Sequence, residues 1–308
     1  MLILLTLYFF TDTGFSVDLD EVGQYETSSV FHVGDRYLFV SRNEASLVVV
    51  NSAGEVLARY EKKGPGPGEL TYPVVWSCQK DEIVVVTNDR HVISFNWDLK
   101  PDTEKYPFLP VDISSEIYVC GQKQKDSYLV ICGSVGKASH LVREMRFENN
   151  TWKTSHQFFP QRKPGTSSPM EMLQNYRVNL HHQLLFKTVQ STTGQYEISV
   201  HSLPTPADQG KDSEVIQMLS GDASEFPIYL FDARAFLLDG YKTIDGYALI
   251  FRAKPGSTPE VKADLFRENG AFVKRISLDS APIPCINTHE VFTVTERDGK
   301  EIIAPIQW

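Results

Sequence analysis

Polar side chains suited to molecular recognition recur between the apolar runs of this 308-residue chain. Arginine carries a planar, permanently charged fork that matches carboxylate and phosphate groups, and aromatic rings add apolar contact area. Arginines and aromatics in connecting segments therefore indicate recognition of an anionic or peptide ligand, and the alternative is a solvated loop surface with local salt bridges. The candidate ligand-binding residues are Arg42, Asn88, Arg90, Arg162, Arg177, Tyr229, Asp232 and Arg234.

Enzymatic patterns are weak in the same sequence. No G-x-S-x-G motif of a hydrolase nucleophile occurs, and no catalytic residue is nominated. The neighbouring His181 and His182 would point to opposite faces of a strand, so they cannot chelate one ion together. The 4 cysteines show no C-x-x-C spacing, which makes a zinc or iron–sulfur site a weak interpretation. We therefore expect no cofactor.

Composition and charge exclude several classes of partner. The chain is 42% hydrophobic, which is ample for a sizeable core, and its net charge is −9. No cluster of lysine and arginine is present, so neither nucleic acid nor an anionic membrane surface is an expected partner. Residues 1–10 read MLILLTLYFF, which is too short to span a bilayer but resembles the apolar region of a signal peptide. We expect residues 1–12 to be such a leader and the protein to be periplasmic or extracellular.

The candidate residues are separated by short apolar runs that indicate β-strands. The runs are rich in valine, isoleucine, phenylalanine and tyrosine, and are bounded by Gly, Asn, Asp or Pro. Several are apolar at every position, as in residues 83–86. A strand with two apolar faces must be covered on both, as in the packed blades of a propeller.

One hairpin motif occurs twice, far apart in the chain. Residues 48–60 read VVVNSAGEVLARY and residues 264–276 read DLFRENGAFVKRI. Each contains a polar turn in which Gly54 or Gly270 supplies the positive φ that a tight hairpin requires. Recurrence of one hairpin in a strand-rich chain indicates a repeat fold.

The apolar runs fall into groups of four. The first group spans residues 27–33, 36–42, 46–51 and 55–61. Later groups begin near residues 72, 115, 174, 234 and 282, and the second group ends in a predicted strand over 102–109. The last group has only three runs, and residues 14–22 are predicted to add its outer strand and remove an exposed edge. We predict an all-β fold: a six-bladed β-propeller of four antiparallel strands per blade, formed as one domain by residues 13–308 and closed by the N-terminal strand.

The connector between the first two groups resembles a known repeat. Residues 61–73 read EKKGPGPGELTYP, which is similar to the G-x-G-P-G-E-[FL]-x-x-P connector of NHL-repeat proteins and related bacterial six-bladed propellers. The matching residues are Gly64, Gly66, Pro67, Gly68, Glu69, Leu70 and Pro73. The usual Asp of the family's strand two–three loop is absent, since Arg42 and Asn43 stand there. The connector is predicted to be a rigid turn in which Glu69 accepts hydrogen bonds from nearby N–H groups.

The resemblance implies the propeller fold more strongly than it implies any particular ligand. NHL-type propellers include protein-binding and RNA-binding modules, an amidating lyase and sensor ectodomains. We expect a non-catalytic, monomeric binding protein whose ligand is a protein, a peptide or a carbohydrate. The alternative is a metal-dependent hydrolase, lactonase or lyase with Ca²⁺ or Zn²⁺ in the central channel, held by residues such as Glu116, Asp239 and Asn287. Carboxylate, amide or imidazole groups converging from three or more blades would favour the enzyme.

Two long connections give a further expectation about the location of the site. Residues 160–173 and 220–233 each join the last strand of one group to the first strand of the next. In a propeller all such joins lie at one end of the ring. We therefore predict that both connections lie on the same rim, where binding residues usually occur.

Overall fold

The chain is nearly all β-sheet in the described part of the computed structural model. The structure describes residues 15–23, 27–109, 117–124, 127–132, 140–160, 176–179, 184–191, 195–203, 215–222, 235–253, 261–280, 282–286 and 289–308. Within these ranges there are 24 strands and a single helix, α1 (Leu19–Val22).

The described strands form six units of four antiparallel strands. The first unit contains β2 (Thr27–Val33), β3 (Arg36–Ser41), β4 (Ser46–Asn51) and β5 (Val56–Tyr60). The second contains β6 (Val74–Cys78), β7 (Ile83–Val86), β8 (Val92–Phe95) and β9 (Pro101–Asp102). The third contains β10 (Ile117–Gln124), β11 (Ser127–Cys132), β12 (His140–Glu148) and β13 (Thr151–Pro160).

The remaining units repeat this order. The fourth contains β14 (Tyr176–Asn179), β15 (Leu184–Ser191), β16 (Gln195–Ser202) and β17 (Val215–Asp222). The fifth contains β18 (Ala235–Thr243), β19 (Gly246–Ala253), β20 (Val261–Arg267) and β21 (Phe272–Leu278). The sixth contains β22 (Ile283–Ile286), β23 (Val291–Arg297), β24 (Lys300–Pro305) and, as its fourth strand, β1 (Val17–Asp18).

The first strands of neighbouring units lie beside one another. Strand β6 contacts β10, and β14 contacts β18. Strand β22 pairs in parallel with β2, with Cys285 opposite Val30, so the sixth and first units form one continuous sheet. An inner ring of first strands with three more strands radiating from each is the architecture of a β-propeller. The predicted propeller fold is thus confirmed, while the number of blades in the ring stays a prediction.

Alternating side chains of one strand pack against the units on either side. In β3, Leu38 and Val40 belong to the apolar cluster shared with the second unit. Their neighbours Tyr37 and Phe39 belong to the cluster shared with the sixth unit. Further clusters join units two and three, four and five, and five and six. This packing explains why whole runs of the sequence are apolar.

The N-terminal strand completes the sixth unit, as predicted. Val17 pairs with Ile303 and Asp18 with Ile302 in β24. The prediction that all of residues 14–22 form this strand was wrong, because α1 begins at Leu19. The Asp18 side chain accepts a hydrogen bond from the Asp20 N–H (3.0 Å), which caps a single helical turn.

The predicted strand over 102–109 was also wrong in its extent. Only Pro101 and Asp102 pair with β8. The Asp102 carboxylate accepts hydrogen bonds from the N–H groups of Glu104 and Lys105, both at 3.1 Å, and so turns the chain away from the sheet. Residues 103–109 then pack between the second and third units, where Tyr106 and Leu109 join Trp152 in a buried cluster, and the Leu109 N–H donates to the Arg90 carbonyl.

Both predicted hairpin glycines have the expected backbone. Gly54 lies between β4 and β5 with φ 83°, and Gly270 lies between β20 and β21 with φ 82°. Each occupies the connection between the third and fourth strand of its unit. The repeated motif therefore marks the same position in two blades.

A buried ion pair links the fourth and fifth units. Asp264 is fully buried, and it accepts hydrogen bonds from Arg275 Nε (2.6 Å) and from the Tyr196 hydroxyl (2.5 Å). Because both carboxylate oxygens are hydrogen-bonded, the charge is compensated inside the protein. We assign this cluster a structural role.

Candidate functional site

The candidate site lies at the end of the propeller where loops of the first two units meet. It contains the β3–β4 turn (42–45), the connector (61–73), the β7–β8 turn (87–91) and residues 103–109. We call these four segments the rim strip. The topology places them together, because turns from second to third strands and connections between units lie at the same end of a propeller.

Hydrogen bonds join the segments of the rim strip into one surface. Lys63 Nζ in the connector donates to the Asn43 carbonyl (3.2 Å). The Asn88 N–H donates to the Thr71 carbonyl (2.8 Å), which joins the connector to the β7–β8 turn. The hydrogen bond from Leu109 to Arg90 adds the fourth segment. The four segments of the first two units therefore lie at one end of the propeller.

The connector is a turn held by internal hydrogen bonds, in agreement with the rigid turn that its sequence predicts. Glu69 accepts a hydrogen bond from the Gly66 N–H (2.9 Å), which confirms its expected role. The Leu70 N–H donates to the Lys62 carbonyl (2.7 Å), and the Leu70 side chain is fully buried. The Tyr60 hydroxyl donates to the Gly68 carbonyl. These contacts fix the path of the chain up to Leu70.

Tyr72 combines an unusual backbone with an exposed ring. Its φ is 51°, and it directly precedes Pro73. A left-handed backbone is an outlier for a bulky residue, and a following proline favours extended geometry instead. The side chain is 50% exposed, so burial of the ring does not explain the conformation. Such strain persists where the surroundings impose it, and it occurs preferentially at functional positions.

Arg42 lies near Tyr72 with a partly desolvated guanidinium group. Its backbone N–H donates to Ser28 Oγ (3.1 Å), which holds the β3–β4 turn over the first strand of the unit. Burial lowers the pKa of the Arg42 side chain, and the electrostatic interaction with Tyr72 opposes that shift. The Nε atom is buried and has no hydrogen-bond partner among the described residues.

Asp89 links the β7–β8 turn to the connector. Its Oδ1 accepts hydrogen bonds from Thr71 Oγ1 (2.5 Å) and from the Thr87 hydroxyl. Its Oδ2 is buried without a hydrogen-bond partner in the described part of the chain, and His91 Nε2 lies 3.5 Å away. The His91 ring packs edge-on against Phe108, whose side chain is 62% exposed. Asp89 therefore organises the turn and is not a free surface charge.

Three of the eight predicted ligand-binding residues lie on the rim strip with described side chains. They are Arg42, which is partly buried, Asn88, which is exposed, and Arg90, which is partly buried with φ 76°. The structure describes only the backbone of Arg177, which pairs with Phe186 in the fourth unit. The other predicted residues lie outside the described residues: Arg162, Tyr229, Asp232 and Arg234.

Sequence reasoning missed several residues of this surface. It treated the connector as a rigid spacer and so overlooked Tyr72 and Thr71 at its end. It also gave no weight to Phe108, because residues 102–109 were predicted to be a strand. The signal for Tyr72 was its position directly before Pro73 in an otherwise tight loop.

The predicted metal site falls largely outside the described residues. Glu116 and Asn287 are not among them, and only the backbone of Asp239 is, where it pairs with Ile250. Within the described ranges, no group of three or more His, Cys, Asp or Glu side chains is placed to hold a metal ion. No helix in those ranges is long and apolar enough to cross a membrane. The connections over 160–173 and 220–233 lie outside the described residues, and their shared rim stays a prediction.

Comparisons with known proteins bear on the fold alone. No protein-family model matches the chain, and no curated protein matches it. A structure of a DUF4221-family member from Bacteroides vulgatus is 12% identical with a TM-score of 0.52, covering 94% of each chain. A presumed exported protein of Bacteroides fragilis is 12% identical with a TM-score of 0.57, covering 92% of this chain and 85% of its own. The β-propeller domain of Cps50 (Swd1) from Myceliophteria thermophila is 9% identical with a TM-score of 0.48, covering 92% and 97%.

Proposed function

We propose that this chain is a non-catalytic binding protein that holds its ligand on the rim strip of the first two units. The observation that carries the proposal is the pair formed by Arg42 and Tyr72. Tyr72 presents a strained, exposed aromatic ring, and the Arg42 guanidinium group, which interacts with it electrostatically, has a buried Nε without a hydrogen-bond partner among the described residues. Arginine and tyrosine are the side chains most enriched where binding energy concentrates.

The internal hydrogen bonds of the rim strip support this function physically. A surface that is already ordered loses little conformational entropy when a ligand binds. The connector is ordered by the bonds of Glu69 and Tyr60, and the β7–β8 turn by those of Asp89. The side chains proposed to bind the ligand are therefore attached to loops that are already ordered before binding.

Two finer assignments belong to the same proposal. The connector is of the NHL-repeat type, which is supported by its sequence and by its closed, hydrogen-bonded path. The protein is exported, which is supported by the apolar run over residues 1–10 and by the fold it shares with the presumed exported protein of Bacteroides fragilis. Its action as a monomer is part of the same proposal.

A thermal-shift screen tests the proposed function. Wild-type protein, Arg42→Ala and Tyr72→Asn are each melted with anionic and neutral peptides, sugar acids, neutral sugars and divalent metals. A ligand at about 100 times its Kd raises the free energy of unfolding by roughly 2.7 kcal/mol. We expect stabilisation of the wild type that is reduced in both variants.

Two outcomes would overturn the assignment. A ligand that stabilises all three proteins equally would place binding away from the rim strip. Stabilisation by Ca²⁺ or Zn²⁺ together with hydrolysis of an ester or lactone would favour the channel enzyme.

A further inference from the structure

One carboxylate lies between the two exposed aromatic rings of the rim strip. Asp89 Oδ1 accepts a hydrogen bond from Thr71 Oγ1 (2.5 Å), and Thr71 directly precedes Tyr72. Asp89 Oδ2 lies 3.5 Å from His91 Nε2, and the His91 ring packs edge-on against Phe108 with ring centroids 4.4 Å apart. Asp89 therefore reaches each exposed ring through one intervening residue.

The Asp89 carboxylate is turned towards its neighbours and away from any ligand. Its Oδ1 is engaged by the hydroxyl groups of Thr71 and Thr87, and its Oδ2 is buried. Hydrogen bonds to an ionised acceptor are stronger than those between neutral groups, so the position of the carboxylate constrains both threonines. Asp89 thus affects the surface only through the residues that it contacts.

The contact with Thr71 bears directly on Tyr72. The φ of Tyr72 is 51°, a left-handed conformation that is unfavourable for a residue with a Cβ atom. Such a conformation persists only where the surroundings impose it. Here Thr71 is held on its carbonyl by the Asn88 N–H (2.8 Å) and on its hydroxyl by Asp89. Removal of the Asp89 carboxylate therefore frees the chain at the residue before Tyr72.

The contact with His91 bears on Phe108. The Arg90 carbonyl accepts a hydrogen bond from the Leu109 N–H (3.0 Å), which fixes the backbone next to Phe108. The Phe108 side chain is 62% exposed, and its described ring contact is with His91. The orientation of the His91 ring therefore sets the position of the Phe108 ring.

Resting on the proposed function, we infer that Asp89 is a positioning residue that fixes Tyr72 and Phe108 relative to one another. The hydrogen bond from Thr71 positions the first ring, and the electrostatic contact with His91 positions the second. Two rings that are placed before binding select ligands by shape, because a ligand that fits only one ring forgoes the apolar contact of the other.

Fluorine NMR of the full chain tests the positioning directly. A single fluorine label is placed on the ring of Tyr72 or of Phe108 by stop-codon suppression. Asp89→Ala should shift both fluorine resonances towards their positions in the unfolded chain. Thr71→Val removes only the hydroxyl and should shift the resonance at Tyr72 alone.

The conservative variant separates the two contacts of Asp89. Asp89→Asn keeps an acceptor for the threonine hydroxyls but removes the negative charge that faces His91. It should leave the Tyr72 resonance in place and shift that of Phe108. Glu104→Ala removes an exposed carboxylate of the same strip and should shift neither resonance. Melting curves show whether each variant is folded, and Thr71→Val with Asp89→Asn suffices if Asp89→Ala does not fold.

The thermal-shift panel of peptides, sugars and metals supplies the functional readout. A compound that stabilises the wild type should stabilise Asp89→Ala less, although the carboxylate itself does not touch it. If affinity falls about tenfold, a compound at about 100 times its Kd gives roughly half of its original stabilisation. Glu104→Ala should keep the full stabilisation.

The contrary outcomes differ from one another. Unchanged resonances of both rings in Asp89→Ala overturn the inference and leave the proposed function in place. Equal shifts in every variant, Glu104→Ala included, also overturn it, because the strip then loosens as a whole. The same holds if both rings shift in Asp89→Ala but the stabilisation by a rim-dependent compound is unchanged. If no compound binds in a rim-dependent manner, the proposed function fails, while the fluorine spectra still decide whether Asp89 holds the rings.

Discussion

Tyr72 shows how one residue can carry a cost that the fold does not need. A non-glycine residue in the left-handed region costs about 1–2 kcal/mol. The conformation follows the fixed position of Thr71, which is held by Asn88 and Asp89, and Pro73 adds to its cost because a proline favours extended backbone in the residue before it. If the ring serves binding, removing it should release strain.

We predict opposite effects for two substitutions at this position. Tyr72→Asn should leave the free energy of unfolding unchanged or higher, because asparagine tolerates positive φ. Tyr72→Val should lower it by about 1–2 kcal/mol, because a β-branched residue is disfavoured there. Urea denaturation measures both. Equal effects of the two variants would mean that the backbone at residue 72 is not constrained as described.

At the scale of single residues, the sequence indicated which side-chain types could bind a ligand better than it indicated how exposed or strained those residues are. Arg42 was identified because arginine in a turn suits anions, and the structure adds that its Nε is enclosed. Tyr72 and Phe108 were not predicted. The exposure of Tyr72 depends on the path of the connector, and the exposure of Phe108 depends on the outer strand that ends at Asp102. Exposure and backbone strain arise from contacts between distant segments, which composition and spacing do not encode.

At the scale of elements, the connector behaves as a structural unit of its own. Gly68 has φ 76°, and a Cβ at this position would lie 3.3 Å from Thr103 Cγ2 and 3.4 Å from the Tyr60 hydroxyl oxygen. Both the positive φ and the close neighbours therefore disfavour any residue larger than glycine at this position. The glycine is required for the turn, whereas the lysines before it face solvent.

The connector supplies a matched pair of variants. Gly68→Val should lower the free energy of unfolding by about 1–3 kcal/mol. Lys62→Ala should change it by no more than about 0.5 kcal/mol, because the exposed side chain makes only a distant contact with the Tyr60 ring (5.9 Å) among the described residues and the backbone hydrogen bond of Lys62 is kept. Thermal and urea denaturation report both values. Two equally small effects would show the connector to be a loose surface loop.

Element prediction succeeded where strands are packed on both faces. The four strands of the first unit begin and end within about one residue of their predicted bounds, because turns at Gly34 and Gly54 mark them and blade packing makes each run apolar. It failed where local side-chain bonds compete with the sheet. Asp18 caps a helical turn and Asp102 ends a strand, and both effects depend on rotamers that a hydrophobic pattern does not reveal.

At the scale of the whole molecule, the two ends of the described chain meet in one sheet. Strand β1 pairs with β24, and the Lys300 ammonium contacts the Asp18 carboxylate (2.5 Å). The Phe15 ring stacks on Tyr37 of the first unit, with ring centroids 3.9 Å apart. Arg59 of β5 donates to the carbonyls of Glu21 and Val22 at the end of α1. The N-terminal segment thus joins the sixth unit to the first.

This closure gives the last prediction. Deleting residues 1–24 removes β1 and α1, exposes the edge of β24, and strips Phe15, Val17, Leu19 and Val22 from the buried cluster between the units. Each such side chain contributes about 1.5–3 kcal/mol when fully buried, so the truncated protein should lose several kcal/mol of stability. Deleting only residues 1–11 should leave the melting temperature almost unchanged, since every one of these contacts remains. Differential scanning calorimetry compares the two truncations with the full chain. If the longer truncation has the same melting temperature as the full chain, β1 does not close the propeller. The six units are then held together by contacts between inner strands, such as the pairing of β2 with β22.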